Sequence, residues 1–263
     1  MSVLQRIAAS KLAQLQERRR KLPEDELEKM ALLSPLSGHV LRENLRREPG
    51  SPINVLAECK KASPSKGVMI QDYDPLKLAR KYLAGGAAGI SVLTETEFFL
   101  GDDAHLRAVT GSIPLPILRK DFTLERYQIL EARCLGASAI LLIAALLPDA
   151  KLKELAADAA DLGLDVIIEI HSWTELAPAL AANAPILGIN NRNLDTFEVS
   201  LETTFELLAD IPKGTVVISE SGISHREQCQ RLEEAGVDAI LIGEGVGTTT
   251  DPAAKIRELR GLV

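Results

Sequence analysis

The feature that most constrains this chain is a strand–helix unit that repeats from about residue 53 to the end of the sequence. Short apolar runs typical of buried strands alternate with longer stretches of helical periodicity. Four of the helix-to-strand junctions are alike, because a glycine follows the helix and an apolar strand begins within three residues. Glycine readily adopts the left-handed conformation that ends many helices. These junction glycines are Gly86, Gly136, Gly163 and Gly236.

Eight strand–helix units fit into this part of the sequence. The predicted strands are 53–59, 89–94, 115–119, 139–145, 165–170, 186–190, 215–219 and 239–242. The predicted helices lie near 74–84, 102–110, 123–135, 149–162, 173–182, 201–209, 224–235 and 251–260.

The pattern favours a closed barrel over an open sheet. The segment 139–143 is apolar at every position, as expected for a parallel strand covered on both faces. Eight units in 263 residues suit an α/β fold of the (β/α)8 TIM barrel type. A doubly wound sheet would need a glycine-rich dinucleotide fingerprint after its first strand. The nearest match, Gly243-Glu244-Gly245-Val246-Gly247, follows the last strand instead.

The first 48 residues differ from the rest and contain no strand pattern. We therefore divide the chain into a helical N-terminal extension, 1–48, packed on a barrel domain, 49–263. A second helix begins near Pro23, and the basic run 18–21 is expected to be a solvated surface. The first helix has an apolar stripe that must cover the barrel mouth, its base or another chain. The stripe consists of Val3, Leu4, Ile7, Ala8, Leu12 and Leu15.

Composition excludes several classes of protein. The chain is 46% hydrophobic and 25% charged, which is typical of a globular protein, and its net charge is −7. That balance argues against nucleic acid or a membrane surface as a partner. Cys59, Cys134 and Cys229 lack metal-ligand spacing, which predicts no zinc site and fits a reducing compartment. The start of the chain lacks a signal-peptide core, and we expect a soluble, cytoplasmic protein.

Active sites of such barrels lie at the carboxyl ends of the strands. Alternate residues of a strand share a face, so the polar residues that end several predicted strands should point into one mouth. Carboxylates beside lysines can hold an acid and a base at one pH, whereas the alternative is a structural ion-pair network. These residues are Glu58, Lys60, Lys120, Glu169, His171, Asn190, Arg192 and Glu220.

Two turns of small residues predict a phosphate site. Glu220-Ser221-Gly222 and Gly243-Glu244-Gly245 close the last two predicted strands ahead of helices. Backbone N–H groups of such turns bind anions, and barrels often place a phosphate there.

Long, ordered motifs spread over the chain carry a family resemblance. They are Glu58-Cys59-Lys60-Lys61-Ala62-Ser63-Pro64-Ser65-Lys66-Gly67, Val92-Leu93-Thr94, Phe98-Phe99-Leu100-Gly101, Leu118-Arg119-Lys120-Asp121-Phe122, Tyr127-Gln128-Ile129, Leu142-Ile143-Ala144-Ala145, Glu169-Ile170-His171, Gly188-Ile189-Asn190-Asn191-Arg192-Asn193-Leu194 and Ser219-Glu220-Ser221-Gly222-Ile223. With these motifs the sequence resembles the indole-3-glycerol-phosphate synthase family.

The resemblance implies a reaction that needs no cofactor and no metal. The substrate would be 1-(2-carboxyphenylamino)-1-deoxyribulose 5-phosphate, which undergoes ring closure, decarboxylation and dehydration in tryptophan biosynthesis. By resemblance Lys120 is the general acid of ring closure, and Glu169 with Lys60 serves dehydration. Which lysine is the acid in each step stays open, and Glu58 would position Lys60.

The resemblance also implies a binding role for the remaining site residues. Asn190 and Glu220 would hold the substrate hydroxyls, and Arg192 would lie near them or near the phosphate. Phe122 would pack against the anthranilate ring. The predicted anion-binding residues are Ser63 and Ser65 in the loop after the first strand, with Ser221, Gly222, Gly243 and the backbone of Glu244.

Two positions depart from the family pattern. The family commonly has Asn or a small polar residue near His171, which we interpret as a hydrogen-bonded mouth residue rather than a catalytic one. Gly245-Val246-Gly247-Thr248 replaces a serine followed by bulkier residues, which affects phosphate affinity rather than reaction type. Asp121 is expected to form a salt bridge or to cap a loop.

Two rival functions stay open at this level. One is an aldolase-type lyase with Lys60 or Lys120 as a Schiff-base amine. The other is a barrel that binds a phosphorylated ligand without turning it over. We expect a small phosphorylated substrate as partner and a monomer or weak homodimer.

Overall fold

Eight parallel strands close into a barrel in the computed structural model, which describes residues 3–38, 40–193, 196 and 198–262. Around the barrel β1 pairs with β8 and with β2, and every other strand pairs with its neighbours in sequence. The strands are β1 (Asn54–Cys59), β2 (Gly89–Leu93), β3 (Ile117–Lys120), β4 (Ala139–Ile143), β5 (Asp165–Ile170), β6 (Ile186–Asn190), β7 (Val216–Glu220) and β8 (Ala239–Ile242).

Helices form an outer layer around the strands and build the N-terminal extension. They are α1 (Val3–Lys21), α2 (Glu24–Leu33), α3 (Leu41–Leu45), α4 (Pro75–Ala84), α5 (Asp103–Thr110), α6 (Arg126–Cys134), α7 (Asp149–Asp161), α8 (Trp173–Ala181), α9 (Glu202–Leu208), α10 (Arg226–Ala235), α11 (Glu244–Gly247) and α12 (Pro252–Leu259).

The predicted (β/α)8 fold is confirmed, and each strand ends within two residues of its predicted bounds. All four junction glycines have positive φ, between 70° and 94°. Three elements were not predicted. They are the helix α3, the short helix α11 and a small hairpin after β1, formed by Ala62–Ser63 and Gly67–Val68. The predicted strand 139–145 ends early because Ala144–Leu146 form a 3-10 turn.

The helix α3 closes the amino-terminal end of the barrel. Leu41 and Leu45 are fully buried in one apolar cluster with the inward-facing side chains of the strands, such as Leu56 and Ile218. The side chain of Arg47, just past α3, donates hydrogen bonds to the carbonyl oxygens of Val237 at 2.9 Å, Ser51 at 2.9 Å and Glu233 at 2.7 Å. The base of the barrel is therefore filled by the extension.

The helix α1 lies at the opposite end of the barrel. Ile7 is buried in the cluster that also contains Phe122, which follows β3. Lys11 is 3% exposed, and its Nζ lies 2.9 Å from Oδ1 of Asp121. Asp121 also accepts hydrogen bonds from Thr94 Oγ1 at 2.6 Å and from its neighbour's backbone N–H, so the expected salt bridge and loop cap are both present. The first part of the apolar stripe, Val3, Leu4 and Ile7, thus covers the mouth, whereas Leu12 is 40% exposed and Leu15 packs in the outer core.

The basic run at the end of α1, residues 18–21, was expected to be a solvated surface. The structure corrects this expectation, because two of its arginines pair with acidic residues of the barrel domain. Arg18 forms ion pairs with Asp103 and Glu131 on the barrel helices, at 2.8 and 2.9 Å. Arg19 pairs with Glu125 at 2.5 Å. Asp103 and Glu131 also pair with the buried Arg119, so the basic end of α1 docks onto an acidic patch of the barrel.

The extension and the barrel share packed surfaces along α2 and α6. Tyr127 Oη donates to the carbonyl oxygen of Leu22 at 3.0 Å, and Arg126 forms an ion pair with Glu28 at 2.5 Å. The division into 1–48 and 49–263 stays a prediction, and residues 1, 2, 39, 194, 195, 197 and 263 of these ranges lie outside the described residues. Within the described part of the chain, no helix combines the length and apolarity needed to cross a membrane.

The Lys11–Asp121 pair gives a test of how firmly α1 is held. The variant Lys11→Met keeps the aliphatic packing but leaves a buried carboxylate without its ammonium partner, so we expect the free energy of unfolding to fall by about 3 kcal/mol. Urea unfolding measures this change. Arg20→Met on the same helix breaks only an exposed pair with Glu17 and should cost less than about 1 kcal/mol. Equal losses in the two variants would contradict the anchoring role.

Candidate active site

A cavity of about 250 Å³ opens at the carboxyl ends of the strands. It is lined by every residue that the sequence assigned to catalysis or to substrate binding. These are Glu58, Lys60, Ser63, Ser65, Lys120, Phe122, Glu169, Asn190, Arg192, Glu220, Ser221, Gly222, Gly243 and Glu244. The structure thus brings the predicted set together, while the role of each residue stays a prediction.

The centre of the cavity is one ammonium group shared by two carboxylates. Lys120 Nζ lies 2.8 Å from Glu169 Oε2 and 3.4 Å from Glu220 Oε2. The two carboxylates belong to β5 and β7 and are almost fully buried, whereas the lysine side chain is 14% exposed. A second pair stands beside them, with Lys60 Nζ 2.5 Å from Glu58 Oε1.

The unequal distances separate the acidities of the two carboxyl groups. Burial disfavours the charged form of both, but the closer Lys120 and a neighbouring histidine hold the pKa of Glu169 well below its usual range. Burial and the negative charge of Glu169 outweigh Lys120 at Glu220 and raise its pKa to about 7. Burial alone would lower the pKa of Lys120, yet Glu169, Glu220 and Glu58 raise it above its usual value. The site therefore holds a charged base, a protonated amine and a titrating acid at neutral pH.

Two glycines on the strands make room for these carboxylates. A Cβ atom on Gly188 of β6 would overlap Glu220 Oε1, and one on Gly243 after β8 would lie 2.6 Å from Glu58 Oε1. Any residue larger than glycine at position 188 or 243 would therefore displace these carboxylates. The small residues that the sequence showed at these strand ends are thus required by the site.

Asn190 connects the carboxylates to the loop after β7. Its Nδ2 donates to Glu169 Oε1 at 3.2 Å, and its Oδ1 accepts from Ser221 Oγ at 2.9 Å. Ser221 has a φ of 68°, which is strained for a residue with a side chain. Asn191 Nδ2 donates to the Ser221 carbonyl oxygen at 3.1 Å and fixes the loop from the other side. Asn191 was not predicted to belong to the site, because it alternates with Asn190 and its side chain is therefore expected on the face turned away from the mouth.

The rim of the cavity joins the loops after β1 and β8. Lys66 Nζ in the first loop lies 2.9 Å from Glu244 Oε1 at the start of α11. Ser63 and Ser65 face each other across 3.4 Å between their hydroxyl oxygens. Small and hydroxyl-bearing residues on both loops suit the binding of an anion such as phosphate.

Apolar residues that the sequence did not assign to the site form one wall. Val3, Leu4 and Ile7 of α1 line the cavity together with Leu93 and Phe99. The rings of Phe99 and Phe122 lie 5.9 Å apart between centroids. The apolar stripe of the first helix was the signal for this wall, although several surfaces could have received it.

Three further expectations from the sequence concern His171, the motif that ends at Leu194, and metal binding. His171 lies beside Glu169 rather than in the lining of the cavity. Leu194, the last residue of one motif, lies outside the described residues. Among the residues that the structure describes, no cluster of His, Cys, Asp or Glu is arranged to hold a metal ion.

Fold and site together define a (β/α)8-barrel enzyme with a buried lysine–carboxylate cluster in the cavity at the barrel mouth. The sequence model of the family described as indole-3-glycerol phosphate synthase matches residues 4–259. The chain belongs to this family. An indole-3-glycerol phosphate synthase from Acidithiobacillus ferrooxidans is 45% identical, covering 98% of each chain. One from Lachnoclostridium phytofermentans is 41% identical, covering 99% of this chain and all of its own.

Solved structures with low sequence identity share the fold alone. The N-acetylmannosamine-6-phosphate 2-epimerase from Clostridium perfringens has a TM-score of 0.62 at 15% identity, covering 86% of this chain and 97% of its own. The 3-hexulose-6-phosphate synthase from Salmonella typhimurium has a TM-score of 0.61 at 13% identity, covering 80% and 98%. The thiamine phosphate pyrophosphorylase from Pyrococcus furiosus has a TM-score of 0.61 at 17% identity, covering 84% and 96%.

Gly188 gives a test of the space that the carboxylates need. The variant Gly188→Ala should displace Glu220 and misplace Lys120, so we expect turnover to fall by about 100-fold. Steady-state kinetics measures the loss, and a thermal melt checks that the variant is folded. Gly111→Ala is the control, because Gly111 ends α5 with a φ of −74° far from the cavity. Full activity of Gly188→Ala would contradict the packing argument.

Glu220 also predicts how stability depends on pH. Its pKa is about 7 in the folded protein and near 4.5 when unperturbed. The folded state therefore holds this proton more tightly, so the stabilisation is complete below about pH 4.5 and is lost as pH rises through about 7. Glu220→Gln stays neutral and should lose less stability than the parent between these values. Melting temperatures measured across this range test the prediction, and Glu17→Gln on the surface should follow the parent. Parallel curves for Glu220→Gln and the parent would contradict it.

Proposed function

We propose that this chain converts 1-(2-carboxyphenylamino)-1-deoxyribulose 5-phosphate to indole-3-glycerol phosphate, CO2 and water, with Lys120 as the general acid of ring closure. Membership of the family supports the reaction. The observation that carries the assignment is the position of Lys120 Nζ between two buried carboxylates inside the cavity. A protonated amine held there can give a proton to an oxygen that becomes negative.

The lining of the cavity supports one orientation of the substrate. The phosphate would bind the rim of small residues, Ser221, Gly222, Gly243 and the backbone of Glu244. The aromatic ring would lie at the apolar wall, between Phe122 and the first turns of α1. The ribulose carbonyl then falls between these ends, next to Lys120. Arg192, Ser63 and Ser65 would contact the phosphate or the carboxylate at the rim.

Ring closure and decarboxylation need one proton donor. The aromatic carbon that carries the carboxylate attacks the ribulose C2 carbonyl, and the oxygen takes the proton of Lys120 as the new bond forms. The carboxylate then leaves as CO2, and its electron pair restores the aromatic ring. To reach the substrate, Lys120 moves away from Glu220 and Glu169. Without these carboxylates the pKa of Lys120 falls, and its ammonium group becomes a better acid.

Dehydration needs a base and an acid on either side of the new ring. Glu169 would take a proton while a lysine protonates the leaving hydroxyl group, which departs as water. Lys60, 2.5 Å from Glu58, is positioned as that acid, although Lys120 can serve after it is reprotonated. Asn190 and Glu220 would hold the hydroxyl groups of the glycerol chain.

The rival aldolase mechanism needs an unprotonated lysine. The carboxylates around Lys120 raise its pKa and keep the amine charged, which disfavours attack on a carbonyl carbon. Borohydride with a ketose phosphate traps a Schiff base if one forms. We expect no covalent adduct on Lys120 or Lys60, and a stable adduct would favour the rival.

We also propose that the chain acts in the cytoplasm as a monomer or weak homodimer. Three free cysteines, two of them buried, suit a reducing compartment. The predicted site residues all line one cavity of a single chain, which is compatible with a monomer. A net charge of −7 gives no attraction to nucleic acid or to an anionic membrane.

The proposed acid is tested by Lys120→Ala. We expect turnover to fall by about 100-fold to 10,000-fold, the usual contribution of general acid catalysis, with a smaller change in substrate binding. Indole fluorescence follows the product, in buffer without added metal or cofactor. Lys151→Ala, on the surface next to Glu154, is the matched control and should keep full activity. Near-parent turnover of Lys120→Ala would refute the role. Binding without turnover by the parent protein would favour the ligand-binding rival.

A further inference from the structure

A histidine and a second glutamate stand behind Glu169. His171 directly follows β5, and its Nε2 lies 3.3 Å from Glu169 Oε1. Its Nδ1 lies 3.2 Å from Oε2 of Glu175, in the first turn of α8. The imidazole is 9% exposed, so both contacts are shielded from water. The sequence indicated a hydrogen-bonded residue, and the structure shows that hydrogen bond to Glu175 and places the ring between two carboxylates.

Glu175 is itself fixed in place. Its Oε2 accepts the backbone N–H of His171 at 2.8 Å, and its Oε1 accepts Ser172 Oγ at 3.2 Å. The carboxylate therefore holds both the backbone and the ring of His171. The Nε2 contact to Glu169 lacks hydrogen-bond alignment, so it acts through charge rather than through a directed bond.

The charged groups that face this ring come from several elements. Glu169 on β5 and Glu175 on α8 are negative, while Lys120 on β3 contacts the other oxygen of Glu169. Asn190 on β6 donates to the oxygen that His171 faces. Burial opposes the charged form of the ring, but the two carboxylates outweigh it and raise the pKa of His171 to about 10. The ring is thus an imidazolium at neutral pH.

We propose that His171, held by Glu175, is a positioning residue that keeps Glu169 ionised and oriented when Lys120 turns to the substrate. This inference rests on the proposed function of the same site and adds a residue that acts through Glu169. His171 neither gives nor takes a proton in the reaction. Its contribution is a fixed positive charge.

The need for that charge follows from the movement of Lys120. When Lys120 donates its proton, Glu169 loses the positive charge that lies 2.8 Å away. A buried carboxylate without a partner binds a proton more readily, and a protonated Glu169 cannot act as a base. The imidazolium lies on the opposite oxygen and remains there, so the base stays ready for dehydration.

The first test reads the charge of His171 without using activity. Proton–carbon NMR of the imidazole rings is followed from pH 5 to pH 9, and the signal lost in His171→Gln identifies the residue. We expect that signal to remain in the protonated position up to at least pH 8. In Glu175→Gln its midpoint should move toward neutral pH. A midpoint near 6.5 in the parent protein would overturn the proposal whether or not the protein turns over the substrate.

The second test separates positioning from mere packing. In His171→Gln we expect kcat to fall about tenfold with KM nearly unchanged, and the acidic limb of the kcat profile to move up by about one pH unit. Glu175→Gln should show a smaller shift of the same sign. Ser172→Ala removes hydroxyl contacts to Glu175 Oε1 and Thr174 but leaves Glu175 Oε2 on His171. It serves as the folded control, and we expect its acidic limb to stay in place. An unshifted limb in an active, folded His171→Gln protein would overturn the positioning role while leaving the proposed reaction intact.

Discussion

The buried ammonium group of Lys120 is the interaction on which the site depends. One positive charge lies between two carboxylates that are almost fully removed from water, at 2.8 and 3.4 Å. Charges are buried only when they are paired, and an uncompensated carboxylate here would take up a proton. The unequal distances leave Glu169 ionised and Glu220 close to titration at neutral pH. An arrangement of this kind is what the proposed general acid and general base require within one small cavity.

The barrel explains how three distant segments meet at this point. Lys120 and Glu220 end their strands, and Glu169 is the last residue but one of β5. Parallel strands of a closed barrel present their carboxyl ends at one mouth. The extension then completes the molecule at both ends. Its α3 fills the base with Leu41 and Leu45, and its α1 places apolar side chains on the cavity wall. A wall of this kind excludes water, which strengthens every charge interaction in the cavity.

Much of this could be predicted from the sequence because the signals are local. Alternation along a strand fixes which side chains share a face, and it grouped Lys120, Glu169 and Glu220 correctly. What alternation does not contain is the distance between side chains of different elements, so it could not distinguish the two carboxyl groups or show that Glu175 of α8 holds His171. The sequence also could not predict which surface α1 packs against, since its apolar stripe fits any apolar surface. Only tertiary contacts such as Lys11 with Asp121 decide that question.

In the proposed mechanism the substrate draws Lys120 away from the carboxylates. A crystal structure with an unreactive analogue, in which the ribulose carbonyl is reduced to an alcohol, tests it most directly. The account predicts Lys120 Nζ within hydrogen-bond distance of the C2 oxygen, the phosphate on the loops after β7 and β8, and His171 still beside Glu169. An analogue bound with its C2 oxygen far from Lys120, or with its phosphate elsewhere, would contradict the account.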